Sequence, residues 1–498
     1  MSQRKIGVVL SYLNIVTKNL VFILYTPFLL KFIGQAEYGL YQMTNSVIMS
    51  LTLLSMGFSG AYVRFYMRFK AKNDEEGIKK LNGMYLLLFI GMALLALILG
   101  GVLVGNTQML FGKTFTPAEI QITKMLMLIM TLNVALSFPS SVFDSYILAH
   151  EEFKFQQSRQ LAQTLLAPIL TVPLVMLGFK SIAIVVIQTL ITLVFLYLNI
   201  RYARRKLAMG FTFSHLPVSL LKEVALFSFF IFLNQVIDLV NNNVPNFILG
   251  MFTGAEDVAT YAVASQIKGI FFMLSIGISA VFIPLINEKI SVRVDTDDLT
   301  DLMIQVGRVQ LAILSFILGG FIVIGKYFIR IWAGDQNILA YWLVLLMILP
   351  TLIPLSQNLG IEIQRAMNKH MFRSVVYFIF ALLNIIITII GTRYFGLIGA
   401  SLGYVTSVVC ANGIIMNWYY QTEIGLDMPR YWKAIGKVSL PFILSTVLCL
   451  LVQQVFALDS LFTFILFGGL YTVVFAGIYL LFIANDSEKR QLRIRGRL

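Results

Sequence analysis

Apolar stretches long enough to cross a bilayer follow one another along almost the whole chain, and nothing else in the sequence restricts its fold as much. Hydropathy predicts about fourteen helices, at 6–32, 40–63, 81–104, 121–148, 161–177, 181–200, 224–250, 258–286, 304–325, 339–362, 374–391, 396–419, 438–456 and 461–484. Of the 498 residues, 58% are hydrophobic and 12% charged, too few polar groups to clothe a soluble globule of this size. The expected fold class is therefore an all-α polytopic membrane protein. The first stretch runs on to Phe32, carries Lys18 and lacks a short apolar core followed by a small-residue cleavage site. It reads as a retained membrane helix and not as a secretory signal.

The formal charge of +14 is explained by topology rather than by nucleic acid, because no segment is long enough to form a soluble basic domain. With both termini in the cytoplasm, six of the 38 Lys and Arg residues fall on the outer side (Lys31, Lys113, Lys180, Lys326, Arg330 and Arg393) and three inside spans (Lys18, Lys124 and Lys268). All the others lie on the inner side or at its helix ends, a bias that predicts this orientation and an even number of helices. Cys410 and Cys449 lie in apolar stretches, and His150, His215 and His370 near segment ends. Neither a disulfide framework, a metal site nor a cofactor is indicated.

The longest internal polar connection, RYARRKLAMGFTFSHLPVSLLK at 201–222, reads as a cytoplasmic linker carrying a short interfacial helix. It divides a lobe at 1–200, with helices one to six, from a lobe at 223–420, with helices seven to twelve; 421–498 adds two helices and a basic cytoplasmic tail. The lobes echo each other. LSMGFSGAYV at 54–63 aligns with LSIGISAVFI at 274–283 at an offset of 220, and LNIVTK at 13–18 aligns with LNQVID at 233–238 at the same offset. The Ala-Glu pair at 36 and 37 recurs at 255 and 256. Three matches in order predict a duplicated six-helix unit whose copies run parallel in the membrane.

An ionised side chain at a helix centre costs about 2.5 to 3.5 kcal/mol on insertion scales, so each is expected to face a cavity or a partner. In the first segment Ser11, Asn14 and Lys18 share a face. Asn234, Asp238, Asn241 and Asn242 form a stripe on the seventh, and Tyr261, Ser265, Lys268, Ser275 and Ser279 form one on the eighth. The fourth contributes Asn133, Ser137, Ser141 and Asp144, and the tenth Gln357, Asn358 and Glu362. Five helices with one polar face each predict a water-filled cleft, although Asn and Ser on such faces serve as interhelical hydrogen-bond partners more often than as ligands. Lys18 and Asp238 are equivalent in the repeat and opposite in charge, which suggests a pair that attracts in one transport state and separates in another.

The sequence resembles the Wzx-type polysaccharide flippases of the multidrug/oligosaccharidyl-lipid/polysaccharide (MOP) superfamily. The likeness rests on the fourteen-helix plan, FIGQAEYGLYQM at 32–43, MGFSGAYVRFYMRFKAKND at 56–74 and FGLIGASLGYVTS at 395–407. The resemblance implies two pseudo-symmetric six-helix lobes around a V-shaped central cavity. It also implies transfer of undecaprenyl-pyrophosphate-linked oligosaccharides to the outer leaflet of a bacterial cytoplasmic membrane by alternating access. Lys18 and Lys268 would then attract the diphosphate and Arg64 would collect it at the cytoplasmic mouth. Asn14, Asn133, Asn234, Asn241, Asn242, Gln357 and Asn358 would line the cavity, with Asp238, Asp144 and Glu362 as sites for a coupling proton or sodium ion. The partners implied are the lipid-linked substrate, membrane lipid and a polysaccharide polymerase.

Two relatives of the same superfamily compete with this reading: a peptidoglycan lipid-precursor flippase, which shares the helix number and a cationic cleft, and a cation-coupled drug antiporter. Organic cations would be repelled by Lys18 and Lys268. A membrane glycosyltransferase needs a sizeable outer loop or an acidic cluster, and the predicted outer loops are about 5 to 16 residues. Neither a G-x-x-x-x-G-K-[ST] loop nor an H-E-x-x-H pair is present.

Overall fold

A computed structural model describes residues 3–55, 57–217, 219–292 and 295–484. The basic tail expected after the last helix lies outside the described residues. Contacts divide the chain into two compact units, Met1–Ala259 and Thr260–Leu498. Among the described residues the regular structure is entirely helical.

In the first unit the helices are α1 (Gln3–Ile33), α2 (Gln35–Met49), α3 (Phe58–Ala71), α4 (Glu75–Gly105), α5 (Pro117–Ala149), α6 (Phe153–Leu174), α7 (Lys180–Arg205), α8 (Ser219–Asn242) and α9 (Val244–Phe252). Local chemistry sets their ends. Thr116 and Glu119 form a reciprocal capping box at the start of α5, with Pro117 in the first turn, where its missing N–H costs nothing. Asp74 accepts from the Gly77 amide at the start of α4. Between α2 and α3 a tight 3-10 stretch, Ser50–Ser55, and a left-handed Gly57 break the second span. A Cβ on Gly57 would collide with Ile231 of α8, so the break is also where α8 docks.

Helix α10 (Ala255–Ala280) crosses the division between the units. The second unit continues with α11 (Thr296–Ala333), α12 (Leu339–Ser356), α13 (Asn358–Ala366), α14 (Met371–Ser407), α15 (Met428–Gly436), α16 (Ser439–Gln453) and α17 (Leu461–Ile478). A core of Leu359, Ile363, Leu426, Tyr431 and Ile435 packs one half, and Val323, Cys449, Phe467 and Tyr471 pack another. The short α15 is strongly amphipathic, presenting Met428, Tyr431 and Ile435 to that first core, and the Tyr431 hydroxyl donates to the Ser356 carbonyl at 2.8 Å.

Eleven helices among the described residues are long and apolar enough to cross a membrane, or twelve if the bent pair Ser219–Leu226 and Ile231–Phe252 is one span, against the fourteen expected from hydropathy. The difference lies in two very long helical runs, Phe153–Arg205 and Met371–Ile424, each of which folds back on itself. The first turns at Gly178 (φ 95°), which brings Ile187, Ile191 and Phe195 of α7 onto Ala162, Ala167 and Leu174 of α6. The second turns at Gly396, where Gly391 meets Gly399 and Gly403 meets Asn384 and Thr388. The small residues at 399 and 403 therefore let two arms of one hairpin touch backbone to backbone.

One expectation changes. The linker after α7 holds no interfacial helix: 206–217 is irregular and lies along α4, where Thr212 donates to the Lys79 carbonyl at 3.0 Å and Asn82 to the Gly210 carbonyl at 2.9 Å. Pro217, Gly210 and the left-handed Ala208 and His215 keep it from coiling. The contact division after Ala259 is one of packing and not of the repeat: α9 is tied to the first unit by Asn246 donating to Ser46 and by Thr114 donating to the Gly250 carbonyl.

The backbone carries its own echo of the repeat. Gly34 and Gly254, 220 residues apart, both have positive φ (87° and 112°). Lys180 (φ 48°, ψ −135°) and Gly396 (φ 55°, ψ −134°) share a conformation natural only to glycine. Lys180 holds it beside Glu37, 3.2 Å from its amine, and Glu37 also accepts from the Ser181 amide and hydroxyl. Lys180→Gly is expected to relieve about 1–3 kcal/mol of strain, while the pair it removes joins an exposed amine to a buried carboxylate that keeps both Ser181 donors, a loss of about 1 kcal/mol. The melting temperature in detergent should rise by about a degree or two. Gly396→Lys, with no such partner, should lower it.

Candidate functional site

Lys18 is the middle residue of α1, about 22 Å from either end at 1.5 Å per residue. Its side chain is exposed, on a helix whose neighbouring Tyr12, Val16, Leu20 and Leu24 are also exposed. Asn14, one turn earlier, is buried and donates to the Gln157 carbonyl at 2.9 Å and to its Oε1 at 2.8 Å. The polar face of α1 is thus split: Asn14 fastens α1 to α6, while Lys18 is left outside that contact. No ion pair joins Lys18 to Asp238 among the described residues.

Asp238 lies in the polar stripe of α8, on a cavity of about 270 Å³. Thr52 and Leu53 of the 3-10 break form one wall, and Gln235, Asp238, Asn242 and Asn243 the other. The local sequence explains the cavity. Asn241, Asn242 and Asn243 followed by Val-Pro end α8, since Pro245 supplies no amide and begins the next helix in its first turn. Asn242 donates to the Asp238 carbonyl at 2.9 Å, and Asn234 lies exposed one turn earlier. The site places one carboxylate among neutral amides and a hydroxyl, a donor set suited to a proton or a small cation. Arg64, on α3, is exposed.

In the second unit Lys268 of α10 is 2% exposed, its amine 4.2 Å above the centre of the Tyr404 ring. Tyr404 is held in turn by a 2.9 Å hydrogen bond with Thr351. A buried ammonium against an aromatic face is stabilised by the ring quadrupole and gains from the dry surroundings. Tyr261, two turns earlier on α10, is fully buried as well.

Other expected cavity residues are committed to packing. Asn133 donates to Thr189 at 3.3 Å and accepts from Thr192 at 3.4 Å, joining α5 to α7. Asp144 is paired with Arg159 of α6, which also donates to Asn199 of α7, itself bonded to Ser140. Gln357 is buried and donates to Asn417 at 2.7 Å, and Trp432 donates to the same oxygen at 2.8 Å. Glu362 pairs with Arg365 at 2.8 Å, while Asn358 begins α13 half-buried. Asn241 is half-buried at the end of α8. Ser275 and Ser279, expected on a wet face, are buried and receive the amide of Gln310 from α11. The sequence signal for that contact was Gln310 itself, a lone amide inside an apolar run, as Arg308 is a lone cation whose guanidinium reaches the Ala434 and Ile483 carbonyls.

The family described as "Polysaccharide biosynthesis protein" matches residues 5–289. The chain is 22% identical over 480 residues to "Uncharacterized membrane protein EpsK" of Bacillus subtilis, covering 94% of this chain and 93% of that one. Its fold is similar to that of the lipid II flippase MurJ in an inward closed conformation (TM-score 0.74, 15% identity, 95% of this chain and 98% of that one). It is also similar to an inward-facing multidrug resistance MATE family transporter of the MOP superfamily (TM-score 0.58, 14% identity, 80% and 97%).

Removing one member of the Asp144–Arg159 pair leaves a poorly solvated charge, so Asp144→Ala should lower stability in detergent by about 2 kcal/mol, less than for a fully enclosed pair. Asp238→Asn, on its open cavity, should change stability by no more than about 0.5 kcal/mol. Equal losses at both positions would overturn this division between packing and cavity carboxylates.

Proposed function

The chain belongs to the polysaccharide biosynthesis protein family, and on that premise we propose that it is a flippase carrying undecaprenyl-pyrophosphate-linked oligosaccharide units from the cytoplasmic to the outer leaflet by alternating access. It is a multi-pass membrane protein with the MOP transporter fold. Lys18 carries the reading: an exposed cation at the midpoint of an apolar helix is tolerated where an anion or water meets it, and a pyrophosphate crossing a layer of low dielectric needs such a charge. Lys268 supplies a second cation, pre-set against Tyr404. Arg64 gathers the diphosphate near the mouth, and the amides of α8 hydrogen-bond sugar hydroxyls.

Asp238 is the coupling site, taking a proton or sodium ion in its amide-lined cavity. Asp144 and Glu362 are less suited to that role, since each already has an arginine partner. The repeat sets the lobes at 1–200 and 223–420, with both termini in the cytoplasm of a bacterial cell and the product passed to a polysaccharide polymerase.

The test is leaflet transfer of a fluorescent prenyl-pyrophosphate oligosaccharide in proteoliposomes. Lys18→Ala should slow transfer about tenfold or more, the loss of one charge-assisted contact, and Lys18→Arg should restore most of it. Asp238→Asn should abolish stimulation by an imposed proton or sodium gradient while leaving some gradient-free exchange. Faster transfer of a peptidoglycan lipid precursor would move the substrate to that class. Export of a cationic dye with no lipid transfer would overturn the flippase reading.

A further inference from the structure

A second cavity, of about 260 Å³, lies wholly in the second unit near the C-terminal end of α11. Lys326, Tyr327 and Arg330 line it from α11, Tyr341 from α12, and Leu450 and Gln453 from α16. Two adjacent carbonyls of α11 fix its walls. The Tyr341 hydroxyl donates to the Ile322 carbonyl at 2.9 Å, and the Gln453 amide donates to the Val323 carbonyl at 2.8 Å. The three helices are thereby pinned at one level, and the space between them does not depend on a mobile loop.

Its charge is positive. Lys326 and Arg330 are one turn apart and both exposed, with the Lys326 amine 4.8 Å from the Trp342 ring centre and 5.6 Å from that of Tyr341. Asp335 accepts from Arg330 Nε at 2.7 Å, which leaves the two terminal guanidinium nitrogens to a ligand. One carboxylate thus faces two cations. Tyr327, Phe328, Trp332, Tyr341 and Trp342 cluster at this level, a composition that marks a membrane–water interface. Leu450, Val455, Phe456, Leu461 and Phe462 around the C-terminal end of α16 and the start of α17 are all exposed and apolar. A cationic pocket at headgroup depth beside an apolar helix surface suits a molecule that is anionic at one end and acyl at the other. The volume lies just under the roughly 300 Å³ at which drug-sized pockets begin, so it accepts a headgroup and not an oligosaccharide.

We propose that the α11–α12–α16 cavity binds the phosphate of a lipid headgroup, with Lys326 and Arg330 as its ligands and the acyl chains lying against α16. None of Lys18, Asp238 and Lys268 lines this site, and the charge bias of the sequence assigns it to the outer side of the membrane.

The test is lipid retention by the full-length protein, read by native mass spectrometry after exchange into mixed micelles of phosphatidylglycerol and phosphatidylcholine. Wild type should retain phosphatidylglycerol about fivefold over phosphatidylcholine, the preference expected of roughly one uncompensated cation. Lys326→Gln/Arg330→Gln should bring the ratio close to one, and Lys326→Arg should preserve it. If the double variant does not elute as a folded species, Lys326→Gln alone, which leaves the Arg330–Asp335 pair intact, carries the comparison. Displacement of phosphatidylglycerol by undecaprenyl pyrophosphate through the same two residues would support the site and identify the transported lipid as its occupant. Equal displacement by inorganic phosphate would overturn a lipid site, as would an unchanged ratio in the variants. Retention does not require transfer, so failure here leaves the flippase reading standing.

Discussion

Every backbone amide and carbonyl inside a bilayer needs a partner within the protein, and the places where this chain stops being helical follow from that requirement. Each interruption is made where its orphaned groups have another recourse. The 3-10 stretch Ser50–Ser55 tightens its hydrogen bonds rather than losing them, with Ser50 and Thr52 returning their hydroxyls to carbonyls one turn back. At Asn241–Asn243 side-chain amides stand ready where helix bonds end, and Asn243 keeps its own amide on the Leu239 carbonyl. At Ile322 and Val323 the direction is reversed: the helix stays whole, and carbonyls with a spare lone pair receive donors from neighbouring helices. The breaks and clamps so arranged define both cavities.

Polar side chains inside the bundle divide by the same accounting of donors and acceptors. Asn133, Gln310 and Gln357 end on other protein groups, as does the Asp144–Arg159–Asn199 set, and they act as adhesive between helices. Lys18 and Asp238 do not join that network. Lys268 takes an intermediate course, exchanging water for an aromatic face.

The all-helical membrane class and the place of most helices were legible in hydropathy, because helix length and burial against lipid are local properties. Gly178 fell between two predicted segments and Gly396 at the first residue of one, and both prove to be hairpin turns. What the sequence could not reveal was which polar residue meets which. A stripe at helical spacing says that residues share a face, and a face is equally polar whether it meets water or another helix. Asn14 and Lys18 are one turn apart and ended differently only because Gln157 arrives opposite the first. The interfacial helix expected in 201–222 failed for a related reason: α7 and α8 take up the two ends of that stretch, and α4 offers the backbone between them a different set of partners.

The two glycine hairpins also bear on how the protein meets the membrane surface. Their tips are not polar loops: Leu177 and Phe179 at one and Tyr394 and Phe395 at the other are all largely exposed. Such residues belong in the headgroup layer rather than in water. A pair of arms joined this way has little polar material to drag through the hydrocarbon as it inserts, and afterwards its tip acts as a float that fixes the depth of both arms. Lys180, set beside one of those tips, turns its amine to the buried Glu37 of α2, so that this tip is also moored to a neighbouring helix.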